Sequence, residues 1–288
     1  MVTVLALGAA LAYGAADFLG GAVSRRSTAV RTVLWCVPIG LAGLVAVSLL
    51  AGGRPASGPL GWGFAAGLAG GIGLIALYRA LARGPMSVVA PVSALAAAVL
   101  PVGVGVLRGE RLDGPVVAGV LLCLAAIGLV SMERDERRRD AASGLLENGP
   151  LLAAVSGLCF GVFYILLKEA GDSAGLWPIV GARVGNLAVV LVAAGVLLVR
   201  HGALPGPPVR GRATLALVVL SGLLDAGANA LYFLAAQAGL LSLAAVLTSL
   251  YPAVTVLLAR VVYAERLRAV QRLGLAVAIA GVALVTVG

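Results

Sequence analysis

The chain reads as an all-α integral membrane protein of ten transmembrane helices arranged as two inverted five-helix repeats. Three observations lead there. Of its 288 residues 61% are hydrophobic and 11% charged, with a mean hydropathy of +1.08, whereas soluble domains carry about 25% charged residues. Ten windows approach the roughly 20 apolar residues that a spanning helix needs. The last five windows repeat residue patterns of the first five.

In order, the first window is 3–22; only Met1 and Val2 precede it, so it lacks the basic leader of a secretory signal and is expected to stay as a helix. The second, 32–51, opens after Arg25, Arg26 and Arg31. The third, 61–82, carries Gly63, Gly67 and Gly71, whose spacing lets another backbone approach closely. The fourth, 87–107, holds Pro91 and Pro101, which remove backbone donors and bend spans, with Ser87 and Ser93 adding hydroxyls. The fifth, 114–132, follows Glu110, a carboxylate placed to meet a helix N-terminus.

A polar linker at 133–149 then brings four Arg and five acids, the composition of a solvated loop. It divides the chain into a first unit at 1–132 and a second at 150–288. The second unit has windows at 150–170, 177–199, 213–236, 242–262 and 270–287. The loop before the eighth carries Pro205, Pro207 and Pro208; Pro252 lies in the ninth, and Glu265 precedes the tenth.

A net charge of +9 and a pI near 10.3 suit nucleic acid in a soluble protein. Here the cations sit in short clusters between spans and set orientation instead, so no nucleic-acid partner is expected. If loops alternate sides, sixteen Lys and Arg lie on one side, including Arg25, Arg31, Arg83, Arg200 and Arg260. Four lie on the other: Arg54, Arg108, Arg111 and Lys168. That bias puts both termini outside the cytoplasm. The three cysteines have no metal-like spacing and the lone His201 has no partner, so reduced thiols and no metal are expected.

Ala76-Leu77-Tyr78 returns as Ala230-Leu231-Tyr232, and Glu110-Arg111-Leu112 returns as Glu265-Arg266-Leu267. Five spans per unit is an odd number, so the copies face opposite ways, and the basic loops change places accordingly. With the Leu107 to Leu112 and Tyr263 to Leu267 segments, and with Tyr13-Gly14 echoed by Phe160-Gly161, the chain resembles the EamA-type ten-helix transporters of the drug/metabolite transporter superfamily. The resemblance implies that helices 1, 3, 4, 6, 8 and 9 surround a cavity while 5 and 10 lie outside. It also implies cytoplasmic termini, against the charge count.

Carboxylates are costly in a span, at about 2.5 to 3.5 kcal/mol on insertion scales, so each needs a partner, water or a solute. Asp225 sits near the middle of the eighth window, on one face with Gly222, Asn229 and Tyr232. Asp17 shares a face with Tyr13, and Phe160, Tyr164 and Lys168 recur at every fourth residue of the sixth window. Tyr78 and Tyr232 occupy equivalent places in the two units. The candidate solute and coupling-ion residues are therefore Asp225, Asn229, Asp17, Tyr13, Tyr164, Tyr232 and Tyr78, with helix packing as the competing account of each. Arg183 and Asn186 lie early in the seventh window, where an Arg reaches the interface by snorkelling.

No GxxxxGK[ST] run cradles phosphates, so no nucleotide or other cofactor is expected. The function expected is secondary transport of a small organic metabolite by alternating access, one half rocking on the other, with proton-coupled export. A carboxyl group out of water favours its neutral form, which suits Asp225 and Asp17 as proton carriers. The alternatives are a non-transporting membrane scaffold subunit, or an intramembrane enzyme on lipid substrates, for which no acid cluster, Ser/His pair or HExxH is present. The expected setting is a multi-pass position in the cell membrane, as monomer or homodimer, with the lipid bilayer, a small-molecule substrate and protons as partners.

Overall fold

Backbone amides in hydrocarbon have no water to bond, so a spanning segment must satisfy its N–H and C=O groups internally, and apolar windows become helices. The computed structural model describes residues 1–84, 86–109, 113–131, 149–263 and 269–287. They form α1 (Val2–Arg26), α2 (Ala29–Ala51), α3 (Ser57–Arg83), α4 (Met86–Leu107), α5 (Gly114–Ser131), α6 (Gly149–Glu169), α7 (Trp177–His201), α8 (Arg212–Ala238), α9 (Leu241–Thr248), α10 (Tyr251–Tyr263) and α11 (Ala269–Val287). The protein is all-helical over the described residues.

Among those residues seven segments are long and apolar enough to cross a membrane: α1, α2, α3, α6, α7, α8 and the α9–α10 pair. The windows expected at 87–107, 114–132 and 270–287 appear as helices α4, α5 and α11, of 22, 18 and 19 residues. The two Glu-Arg-Leu motifs and the linker, apart from Gly149, lie outside the described residues, as do the side chains of Ser87, Pro91 and Cys123. Cys36 and Cys159 are free thiols.

The ninth window differs from a single span. It breaks at Ser249 and Leu250, because Pro252 has no N–H to return to the Thr248 carbonyl and the helical ladder cannot pass through it.

Large apolar side chains face outward; Leu50 and Val199 are both 89% exposed, while Ala dominates the interior. In lipid, burying a leucine yields no hydrophobic gain, and helices associate instead through small residues that permit close contact. The Gly63, Gly67 and Gly71 face does this. A Cβ built on Gly63 would fall 1.9 Å from the Pro178 carbonyl oxygen, and one on Gly67 2.0 Å from that of Ala182. Gly181 and Gly185 return the contact against Leu60 and Phe64 of α3. A second seam joins α2 to α8, where Gly222 meets the Cys36 carbonyl and Gly40 meets that of Gly222.

The helices sort into two groups. In one, α3 packs along α6 and α7, and α4 along α6; in the other, α8 packs along α1 and α2, and α1 along α9 and α10. The groups meet where α2 touches α7, α4 touches α9 and α10, and α1 touches α3. The pair α5 and α11 packs together, joined to the rest through α4 and α9.

Two faces of the molecule are distinguished by which helix ends meet. On one, Arg25 donates to the Leu81 and Gly84 carbonyls at 3.2 and 3.3 Å, closing the last turn of α3, and lies 5.0 Å from the ring centre of Tyr263. There too Arg31 donates to Leu204 and Pro205, and Ser27 to Pro207, tying the α1–α2 turn to the proline-rich loop. On the other face Lys168 donates to the carbonyls of Ala236 and Gly239 at the end of α8, where a cation meets the negative helix terminus, and Arg108 pairs with Glu169. The turns carrying Arg25 and Arg31 thus gather on one face, and the helix ends carrying Lys168 and Arg108 on the other.

Candidate functional site

The small-residue seams decide which side chains meet inside. On α7, Pro178 occupies the first turn, where its missing N–H costs nothing, and Gly181 and Gly185 seat the next turns against α3. Arg183 and Asn186, three residues apart, then point into the molecule. On α8, Gly222 seats the helix on α2 one turn before Asp225. On α1, Gly14 lies against the Tyr251 carbonyl, at 2.5 Å from a built Cβ, which sets Tyr13 and Asp17 beside the break between α9 and α10.

These turns border a cavity, with about 440 Å³ of empty space that includes its open side, lined by Tyr13, Asp17, Gly70, Leu74, Phe160, Phe163, Tyr164, Asn186, Asp225, Asn229 and Tyr251. One wall comes from α3, α6 and α7, the other from α1, α8 and α10. The space therefore lies between the two helix groups, each of which draws on both halves of the sequence.

Of the seven residues singled out from the sequence, Asp225, Asn229, Asp17, Tyr13 and Tyr164 line this cavity. Tyr232 and Tyr78 lie outside its lining. Tyr232 is buried behind Tyr164, ring centres 4.2 Å apart. Tyr78 is hydrogen-bonded to Ser221 at 3.2 Å, and Ser221 donates to the Ala16 carbonyl at 2.9 Å, so the phenol joins α3, α8 and α1. We predict that Tyr78→Phe costs about 0.5 to 1.5 kcal/mol, the worth of one buried hydrogen bond, and leaves solute binding unaltered. Thermal unfolding in detergent beside a ligand titration checks both halves, and lost binding would return Tyr78 to the site.

Arg183 departs from the snorkelling expected of it. Its side chain is 1% exposed, and Nη1 donates to Asp225 Oδ2 at 2.5 Å, an ion pair across the boundary of the helix groups. Its Nη2 is buried without a partner, as is Asn186 Oδ1 on the cavity wall. Asn229 Nδ2 donates to the Asp225 carbonyl at 2.6 Å, within its own helix. Sequence position alone gave Arg183 an easy route to the interface; the glycines flanking it were the signal that this turn is packed inward.

The resemblance placed helix 4 on the cavity and left helix 7 off it. Asn186 of α7 is in the wall, and no α4 side chain among the described residues lines it; the side chains of residues 87, 88, 91 and 95 lie outside those described. Phe163 and Tyr251 are further wall residues that helical spacing did not single out. Lys168, expected near the interface, closes the end of α8. Among the described residues no three His, Cys, Asp or Glu side chains gather as metal ligands would.

Residues 147–287 match the family model of the EamA-like transporter family. No curated protein sequence matches the chain. Among solved structures, one described only as "Crystal structure of protein" is similar in fold, with a TM-score of 0.75 and 21% identity over 99% of this chain and 96% of that one. The matched segment takes in α6 to α11, hence Asn186, Arg183, Asp225 and Asn229. Through its second half the chain belongs to the EamA-like transporter family, within the drug/metabolite transporter superfamily, and is a multi-pass membrane protein.

Proposed function

We propose that the protein is a secondary transporter that moves a small organic metabolite across the membrane by alternating access, as proton-coupled export. The observation that carries this reading is the cavity itself: carboxylates, amides and phenols enclosed between two helix groups whose outer surfaces are apolar. Ionisable side chains on a cavity wall at membrane depth are costly to maintain and suit a solute path.

In this reading α4, α5 and α11 cross the membrane too, giving ten spans in two inverted units. The contacts support it. Where α3 packs on α6 and α7, α8 packs on α1 and α2; where α4 packs on α6, α9 and α10 pack on α1. Exchange of the two units maps one set onto the other, as a two-fold axis requires. The face bearing Arg25 and Arg31 is cytoplasmic by its positive charge, which leaves both termini outside.

The moving bodies differ from the sequence halves. Helices α3, α4, α6 and α7 rock as one against α1, α2, α8, α9 and α10, and the Arg183–Asp225 pair spans the gap. Proton exchange runs through the cavity carboxylates, because nothing in the sequence binds a nucleotide.

The test is counterflow in proteoliposomes with a metabolite panel, followed by the Asp225→Asn variant. Wild type is expected to accumulate at least one labelled solute against preloaded cold solute, and the variant to lose proton-driven exchange at least tenfold. Exchange at the wild-type rate in Asp225→Asn would overturn its coupling role, and the absence of counterflow for every solute would count against transport.

A further inference from the structure

Two cations tie the helix groups together, one on each face. Arg25, at the end of α1, donates to the Leu81 and Gly84 carbonyls of α3 at 3.2 and 3.3 Å. Lys168, at the end of α6, donates to the Ala236 and Gly239 carbonyls of α8, the latter at 3.1 Å. Each cation thus reaches two carbonyls three residues apart in the closing turn of a helix, and Gly84 and Gly239 are the residues that cap those helices. Counted from the equivalent Tyr78 and Tyr232, the acceptors stand three and six residues on in α3, and four and seven residues on in α8. The same device is built twice, within one step of register.

Both ties cross the boundary between the groups, because α1 packs with α8 and α3 with α6. By contrast Arg108 and Glu169, on the same face as Lys168, join α4 to α6 inside one group. The four helices that are tied also line the cavity. Asp17 stands eight residues before Arg25 and Leu74 seven before Leu81; Tyr164 stands four before Lys168 and Asn229 seven before Ala236. At 1.5 Å per residue the ties lie about 6 to 12 Å beyond the wall, toward opposite faces. Widening the cavity toward one face separates α1 from α3 there, or α6 from α8, and the tie on that face must part.

We propose that Arg25 and Lys168 are the two latches of the rocking motion, each holding its own face closed by seating a cation on a helix C-terminus, and that their unequal strengths set which face opens at rest. This rests on the transport reading for the purpose of the motion, but not for the motion itself. A cation at a helix terminus is worth more where it is partly buried than where water screens it. Arg25 is exposed, whereas Lys168 is half-buried, and Gln237 of α8 donates back to the Lys168 carbonyl at 3.2 Å. The Tyr263 ring, 5.0 Å from the Arg25 guanidinium, belongs to α10 in the same group as α1, so it orients Arg25 without adding to the tie. The Ser27 and Arg31 bonds end on the loop that leads into α8, also of that group. The Lys168 latch is therefore the stronger, and the molecule at rest opens toward the Arg25 face.

Hydrogen–deuterium exchange of the purified full chain in lipid nanodiscs reads opening at each helix end without any solute. In wild type the amides at the ends of α1 and α3 are expected to exchange faster than those at the ends of α6 and α8. Arg25→Gln is expected to raise the ratio of opening at its own face to opening at the other about threefold, and Lys168→Gln to lower it about tenfold, the difference between an exposed and a half-buried cation at a helix end. In each variant the opposite face closes as the unlatched face opens, because one equilibrium governs both. A cation that merely stabilised its helix end would raise exchange there and leave the other face alone. Arg25→Lys and Lys168→Arg keep the cation and are expected to keep the ratio. Arg108→Gln breaks a pair inside one group and is expected to shift neither face against the other.

Local rises with no reciprocal fall, or shifts of the same sign from both Gln variants, would overturn the latches. Slower exchange at the Arg25 face than at the Lys168 face in wild type would overturn their ranking. If Lys168→Gln fails to fold, the response of the Lys168 face to Arg25→Gln decides. Counterflow with the metabolite panel separates the two readings. Reciprocal exchange without counterflow of any solute removes the transport reading and leaves the latches. Counterflow in wild type beside purely local changes in the variants removes the latches and leaves transport.

Discussion

Replacing Arg183 by methionine is expected to lower the unfolding free energy by about 3 to 5 kcal/mol, the loss seen when one partner of a buried ion pair is removed. The reason lies with the partner left behind. Asp225 is 11% exposed at its side chain and has Arg183 as its ion-pair partner at 2.5 Å, so the variant keeps a carboxylate in a low-dielectric interior with nothing to answer it. The double variant Arg183→Met with Asp225→Leu removes both charges and is expected to recover most of that loss, because replacing a whole buried pair by apolar groups is often neutral or stabilising. Titration with sodium dodecyl sulfate in mixed micelles measures both. A single-variant loss under about 1 kcal/mol, with no recovery in the double variant, would mean that the pair is solvated through the cavity.

The second large effect is expected at Gly67→Val. A Cβ there meets the Ala182 carbonyl oxygen at 2.0 Å and its carbonyl carbon at 2.7 Å, both backbone atoms that cannot turn aside as a side-chain tip would. Overpacking normally costs about 1 to 3 kcal/mol. Here α3 must part from α7 along a seam continued by Gly63, Gly181 and Gly185, so the upper end, about 3 kcal/mol or more, is expected. Gly61→Val is the control on the same helix, since nothing lies within 4 Å of a Cβ there, and it should stay within about 0.5 kcal/mol. Equal losses at the two positions would show that helix propensity, not the seam, sets the cost.

Much of this architecture is legible before any coordinates, for a simple reason. Spans are set by apolar length, which is a local property, and so α1, α2, α3, α6, α7 and α8 fall where the windows are. Asp17 and Asp225 stand out because a carboxylate at hydrocarbon depth is expensive wherever its helix points. The role of Arg183 was not legible in the same way. A long cationic side chain near a helix start has two outlets, the interface and the interior, and only the packing of α7 on α3 closes the first. Tyr78 and Tyr232 match as repeat equivalents, yet equivalence in sequence says nothing of what each phenol faces, and both turned away from the cavity. Pro252 in the ninth window was visible in the sequence, and the break at Ser249 and Leu250 follows from its missing N–H.

The exchange of partners between the halves also bears on how the chain matures during synthesis. The glycine edge of α3 leaves the ribosome long before Pro178, Ala182 and Gly185 have been translated, so the groove it presents stays unfilled while the next hundred residues are made. Likewise α1 waits in the bilayer for α8. The contacts of α3 with α7 and of α1 with α8 can therefore form only after the second half of the chain has been made.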